Sequence, residues 1–358
     1  MRYNPLGETG LFVSELCLGT MTFGGNGIWQ AIGTQGAQEA EALIGTAFDA
    51  GVNFIDTADV YSDGESERLL GGALANLARP REQVVVATKV RGRVGPGVNQ
   101  VGLSRSHILS SIDGSLKRLR LDHVDLYQIH GFDPVTPIEE TVRALDDVVR
   151  SGKARYVGFS NLPAWVASKA ITFARQNGLA RFQSAQVYYS IAGRDIEREI
   201  APLCGAEGVA ILPWSPLAGG LLSGKFDPSK KGPADARRAS FDFPPVNMER
   251  LPRVLSALNE VAGATKHSVA RVALAWMRTK PFVSSIIIGA KKKEQLLDNL
   301  AATELSLAPE HLKLLEEASA LPPEYPGWMV EFQNLRDPRG VGKMPTEAEI
   351  RAAIPKGH

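Results

Sequence analysis

Between Val52 and Glu67 the chain reads VNFIDTADVYSDGESE, and two of its side chains, the Asp56 carboxylate and the Tyr61 phenol, are groups that can move protons. Val52–Ile55 is a brief apolar run of the kind a buried strand makes. The acids from Glu65 to Glu67 suit the positive end of a helix. The two groups therefore fall in the loop at the C-terminal end of a strand, which in a barrel of parallel strands is the catalytic rim. Comparable positions recur along the chain: Lys89 after the third apolar run, His130 after the fourth, Ser160-Asn161 after the fifth, Gln186 on the sixth and Trp214 after the seventh. Singly each has an ordinary explanation, such as a turn cap for Asp56, a solvated end for Lys89 or a hydrogen-bonded core histidine for His130. Jointly they occupy corresponding points of successive units, and coincidence is a poor explanation.

The elements that must position them follow from the repeat. Apolar runs at Glu15–Gly19, Val52–Ile55, Val84–Thr88, Val124–Ile129, Tyr156–Phe159, Ser184–Val187, Val209–Pro213 and Ser285–Ile288 alternate with amphipathic stretches of helical period. Several of those stretches finish on glycine (Gly51, Gly152, Gly178), as helices often do. The runs are rich in Val and Ile and do not alternate, so they expect burial on both faces and a parallel sheet. Eight strand–helix units over this length predict an α/β fold, a (β/α)8 TIM barrel, rather than an open doubly wound sheet. The opening MRYNPLGETGLFV predicts a small hairpin outside the repeat.

Two stretches break the rhythm. Phe226–Asn247 is a long insertion after the seventh strand, on the rim, where long ordered loops tend to be lids or binding loops. Residues 321–358 follow the last helix as a C-terminal extension expected to pack on the 1–320 barrel through Tyr325, Trp328 and Phe332. Its final MPTEAEIRAAIPKGH reads as a short helix.

Composition excludes several classes. A chain of 358 residues with 44% hydrophobic and 22% charged residues is ordinary globular protein, and a net charge of +1 argues against a polyanionic partner. No signal-peptide pattern or membrane-length apolar segment is present, so the expectation is a cytoplasmic protein. The expected partners are a small carbonyl compound and, at most, further copies of the chain, with no nucleic acid and no membrane. Cys17 and Cys204 are the two thiols, too few and too far apart for a disulfide framework or a cysteine zinc site. No metal is expected: HExxH is absent, and His107, His123, His267, His311 and His358 lack ligand spacing. His107 and His123 read as helix-surface or turn residues.

From Tyr3 to about Asn299 the chain resembles the aldo-keto reductase family. The resemblance rests on LGETGLFVSELCLGTMTFG, GVNFIDTADVYSDGESERLLG, VVVATKV, SLKRLRLDHVDLYQIHGFD, KARYVGFSN, QVYYS, PWSPLAGGLLSGKF and IIIGAKKKEQLLDN, in that order. The branch it is most similar to contains bacterial general reductases and potassium-channel β subunits. The resemblance implies a catalytic tetrad of Asp56, Tyr61, Lys89 and His130. Carbonyl reduction needs a proton delivered to oxygen, and a free tyrosine, with pKa ~10, is a weak acid. Lys89 beside Tyr61 would lower that pKa, Asp56 would hold the lysine charged, and His130 would donate to the carbonyl oxygen.

The hydride must come from a cofactor, NADP (NADPH) by the resemblance. No Rossmann fingerprint supplies it: the glycines of MTFGGNG lack the spacing. GGLLSGK approaches a nucleotide P-loop, but Phe226 stands where a magnesium-binding hydroxyl belongs. The resemblance instead makes this segment a backbone cradle for the pyrophosphate, with Ser215, Leu217, Gly219 and Lys225 in contact. It further implies cofactor contacts from Gly19, Thr20, Met21 and Asp56. Ser160, Asn161 and Gln186 would meet the nicotinamide carboxamide and Trp214 the ring face. Gly289, Gln295, Asp298 and Asn299 would lie at the adenine end, with Lys291 on the 2′-phosphate.

Two departures stand out. Gly131 follows His130 where the family often carries a large aromatic, which leaves the pocket wider or walled by another segment. Gly289-Ala290 replaces the Lys-Ser pair with which many relatives hold the 2′-phosphate. The leading expectation is an NADP(H)-dependent reductase of aldehydes or ketones; the alternative is a nicotinamide-binding, β-subunit-like redox sensor with slow turnover.

Overall fold

In the computed structural model, which describes residues 1–226, 238, 241–336, 346–348 and 351, a hairpin of β1 (Tyr3–Pro5) and antiparallel β2 (Phe12–Ser14) opens the chain. Eight parallel strands follow: β3 (Leu16–Gly19), β4 (Phe54–Asp56), β5 (Val85–Val90), β6 (Val124–Ile129), β7 (Ala154–Ser160), β8 (Phe182–Tyr188), β9 (Ala210–Trp214) and β10 (Ile286–Ile288). They pair in the order β10-β3-β4-β5-β6-β7-β8-β9. Between the two ends of that order, Ile211 bridges Val283 in parallel and the Ser284 N–H donates to Ile211 O at 3.0 Å, so the sheet curls into a nearly closed barrel. This is the expected (β/α)8 fold with its N-terminal hairpin.

Helices separate the strands, and their composition explains their ends. The one at Ile138–Arg150 begins with Glu139 and Glu140 and finishes with Arg150, as the helix dipole favours. It buries Ile138, Val142, Leu145 and Val148, a stripe of helical period. Gly51, Gly152 and Gly178, each just past a helix, take left-handed φ of 87°, 77° and 64°.

The barrel has two apolar layers. Cys17, Phe54, Val85, Ala87, Leu126, Ala210, Leu212 and Ile287 fill its interior, and a larger layer lies between strands and helices. Strand side chains alternate with a period of two, so parity decides which residues face inward. Val85 and Ala87 are interior and Val86 and Val90 belong to the outer layer, which places Lys89 inside. The same count brings Asp56 in with Phe54, Gln128 with Leu126 and Trp214 with Leu212. Lys89 thus lies within β5 rather than after it.

Both cysteines are buried and unpaired. His107 differs from expectation: it sits on the buried face of helix Arg105–Leu119, 2% exposed, beside Ser111. Of the insertion after β9, residues 227–237, 239 and 240 lie outside the described residues, as does most of the expected final helix. The chain divides into a unit of Met1–Ser319 and a second of Ala320–His358, which carries a helix at Gly327–Arg336 and packs Tyr325 edge-on to Trp328. Among the described residues no helix is long and apolar enough to cross a membrane.

Candidate active site

β4 ends on Asp56, and a short 3-10 turn at Tyr61–Gly64 brings the Tyr61 ring back over the barrel mouth. The turn needs left-handed backbone at Ser62, Asp63 and Gly64, with φ of 49°, 56° and 83°. At Gly64 a Cβ would meet Arg118 Cδ at 2.7 Å. Arg118 is held there because its Nε donates to Glu67 at 2.6 Å, and the Thr88 hydroxyl donates to the other oxygen of Glu67 at 2.5 Å. Thr88 faces the helices, so this buried knot fixes the strand from behind while its neighbour Lys89 points inward.

Lys89 Nζ is the centre of the interior arrangement. It lies 2.5 Å from Asp56 Oδ1, donates to Thr57 O at 2.8 Å and reaches Tyr61 Oη at 3.3 Å. The other oxygen of Asp56 accepts from Gln186 Nε2 at 2.8 Å and from Gln128 Nε2 at 3.3 Å. The Tyr61 ring packs edge-on to His130, with centroids 5.6 Å apart, and to Trp29 at 5.4 Å. His130 is fixed at its backbone by donation to Val90 O at 2.8 Å. The structure therefore brings Asp56, Tyr61, Lys89 and His130 into one constellation.

Burial governs the electrostatics. It pushes the Tyr61 phenol up, and although Lys89 pulls it down, the net shift is upward. The expected net lowering by Lys89 is thus corrected, because loss of water around a buried phenolate outweighs the neighbouring ammonium. For Lys89 burial is the largest single influence and works against the charge, yet Asp56 and Tyr61 together outweigh it and the ammonium is held above its ordinary range. Burial, with help from the Lys89 and Arg91 charges, keeps His130 well below the usual histidine range and therefore neutral at pH 7. Asp59, buried beside Glu67, is raised to about 8, first by burial and then by that carboxylate.

Around this centre Asn161, left-handed at φ 52°, donates to Ser160 Oγ at 2.8 Å and accepts from Trp214 Nε1 at 3.0 Å. Trp214 stacks on Phe243, centroids 5.6 Å apart and planes 10° apart, so an aromatic of the chain itself covers one face of the indole. Gln186 turns its amide to Asp56 rather than outward. From Ser215 to Lys225 there is no acidic side chain, and Ser215, Ala218, Gly219, Gly220 and Gly224 all have left-handed φ. Several amides of the segment close its own turns, Ala218 N–H donating to Ser215 O at 2.8 Å and Gly220 N–H to Leu217 O at 2.9 Å, and a glycine-rich backbone free of acids is chemistry that fits a pyrophosphate. Leu217 is partly buried there and Lys225 is exposed.

Gly19 ends β3, and Thr20 is buried, its N–H donating to Asp56 O at 2.9 Å; Met21 begins the turn beyond. Around β10, Gly289 has open space where a Cβ would stand, and the Lys291 N–H donates to Gln295 Oε1 at 3.0 Å. Asp298 is engaged with Arg271 at 2.8 Å and with the Ser268 hydroxyl at 2.6 Å, and Asn299 is buried. The expected adenine-end contact of Asp298 therefore already has two partners within the fold. Sequence reasoning missed Gln128, Trp29, Asp59 and Arg91. Gln128 was findable, as a polar residue two positions before His130 in an otherwise apolar inward series.

Residues 15–320 match the model of the Aldo/keto reductase family. The chain is 35% identical over 353 residues to a versiconal hemiacetal acetate reductase of Aspergillus parasiticus, spanning 91% of this chain and 99% of that protein. It is 38% identical over 326 residues to a probable voltage-gated potassium channel subunit beta of Oryza sativa subsp. japonica, 88% and 96% of the two chains. The uncharacterized oxidoreductase YrpG of Bacillus subtilis (strain 168) is 38% identical over 325 residues, 88% and 95% of the two.

Proposed function

This chain belongs to the aldo/keto reductase family, and from that premise we propose that it is an NADP(H)-dependent oxidoreductase that reduces aldehydes or ketones to alcohols. The observation that carries the reading is Lys89 Nζ placed between Asp56, at 2.5 Å, and Tyr61, at 3.3 Å, with His130 against the phenol. When bound, the dinucleotide would be the source of the hydride that the carbonyl carbon receives. Tyr61 gives its proton to the carbonyl oxygen, and Lys89 stabilises the phenolate left behind. Asp56, held by Gln186 and Gln128, keeps the ammonium charged and aimed. Neutral His130 offers one ring N–H to the same oxygen as negative charge gathers there, a contribution of about 3 kcal/mol for a well-placed donor.

Ser160 and Asn161 serve the nicotinamide end, the Ser215–Lys225 cradle the pyrophosphate and Lys291 the 2′-phosphate. The two unpaired buried thiols suit a reducing compartment, and we place the protein in the cytoplasm. The test is consumption of NADPH and NADH, followed by absorbance, with a reactive aromatic aldehyde. Fast consumption with NADPH preferred supports the reading. The relative named as a channel β subunit favours a second one, a nicotinamide-binding regulator that turns over slowly. Tight cofactor binding without turnover would select it.

A further inference from the structure

Gly131 leaves a gap beside His130, and the chain fills it with a cation. A Cβ at Gly131 would stand 3.5 Å from Arg91 Cδ and 3.6 Å from Arg91 Nε. Arg91 is exposed and is held in place from several sides. Its Nε donates to Phe132 O at 2.9 Å, its carbonyl accepts from Gly102 N at 3.0 Å, and its φ is 144°, a region in which a side-chain-bearing residue is strained. No hydrogen bond or ion pair engages either Nη group among the described residues. Asp133, the acid in the adjoining loop, commits its oxygens to the Leu103 and Val135 amides and the Thr136 hydroxyl.

The position separates this cation from the cofactor phosphates. In the strand order, β5 and β9 stand four places apart in either direction around the barrel, so Arg91 lies across the mouth from the glycine-rich cradle. An unpaired guanidinium edge with two parallel N–H groups matches a carboxylate.

We propose that Arg91 is a substrate anchor and that the preferred substrates are aldehydes or ketones carrying a carboxylate. The proposal rests on the reductase reading. It requires that His130 and Arg91 grip two ends of one molecule, the carbonyl at His130 and the anion at the Nη edge.

The test compares 4-carboxybenzaldehyde with its neutral methyl ester, with saturating NADPH, in the unaltered chain, Arg91→Gln and Arg91→Lys. The unaltered chain should favour the carboxylate in kcat/KM by about tenfold or more, in line with a charge-assisted hydrogen-bond pair. Arg91→Gln should cut that preference about tenfold, mostly through KM, and Arg91→Lys should restore part of it. A structural role alone would lower both aldehydes equally and overturn the anchor. Brisk turnover of the ester without carboxylate preference would overturn the anchor and leave the reductase standing. Turnover of neither aldehyde would overturn both.

Discussion

The Gln186 side-chain amide donates to Asp56 Oδ2 at 2.8 Å, across the barrel from β8 to β4. The carboxylate that holds Lys89 is therefore itself held, from the far wall, by a neutral donor. A buried carboxylate with one oxygen on an ammonium and the other on amides has little freedom to rotate, which fixes Nζ relative to the Tyr61 phenol.

Gln186→Leu should accordingly slow turnover more than it weakens cofactor binding. Removing a donor to a buried charged oxygen costs roughly 1–3 kcal/mol, so denaturant unfolding should show that loss while kcat falls about tenfold for each 1.4 kcal/mol lost at the transition state. A variant with lowered stability and unchanged kcat would show that the contact is structural only.

Tyr61→Phe should remove most carbonyl reduction and leave NADPH affinity nearly intact, because the phenol's part is the proton. Equal loss of both would contradict that role. Burial raises the phenol above its ordinary range, so the acid form persists through neutral pH. The reduction rate should therefore show no fall between pH 6 and 8 that Tyr61→Phe abolishes.

Asp59 gives stability a pH dependence of defined sign. Its carboxyl is raised from 3.8 to about 8 by burial and by Glu67. Between those values the folded chain keeps a proton that the unfolded chain has released. Stability from this group is full below the lower value and is lost as pH rises through the upper one. Asp59→Asn removes the titration. From pH 5 to pH 8.5 the stability difference in urea should move toward the variant by up to about 4 kcal/mol. A difference that stays constant with pH would refute it.

Lys291→Ala should weaken NADPH much more than NADH, measured by cofactor fluorescence titration, since only the former carries a 2′-phosphate. A uniform effect on the two would remove Lys291 from that assignment.

The period of two along each strand and the eightfold repeat are local properties, and both are legible in the chain. They suffice to put Asp56, Tyr61, Lys89, His130, Gln186 and Trp214 at one end of a barrel, and the family resemblance adds the roles of the tetrad. They would have added Gln128 as well, had inward parity been counted on β6. The helix-surface reading of His107 failed for a related reason: on a helix a single polar residue does not say which face is buried.

What no window of sequence contains is distance between remote residues. Gln186 meets Asp56, Phe243 covers Trp214 and Arg91 fills the space at Gly131 only because the closed barrel and its rim loops bring separate segments together. The protonation of Tyr61 is likewise a sum over its whole surroundings, in which lost water outweighs one nearby lysine. The sequence by itself determined which side chains face the mouth of the barrel, because alternation is set by neighbours along the strand. The tertiary structure decided which of them touch and which carry charge, because contact and desolvation depend on every element packed around the site.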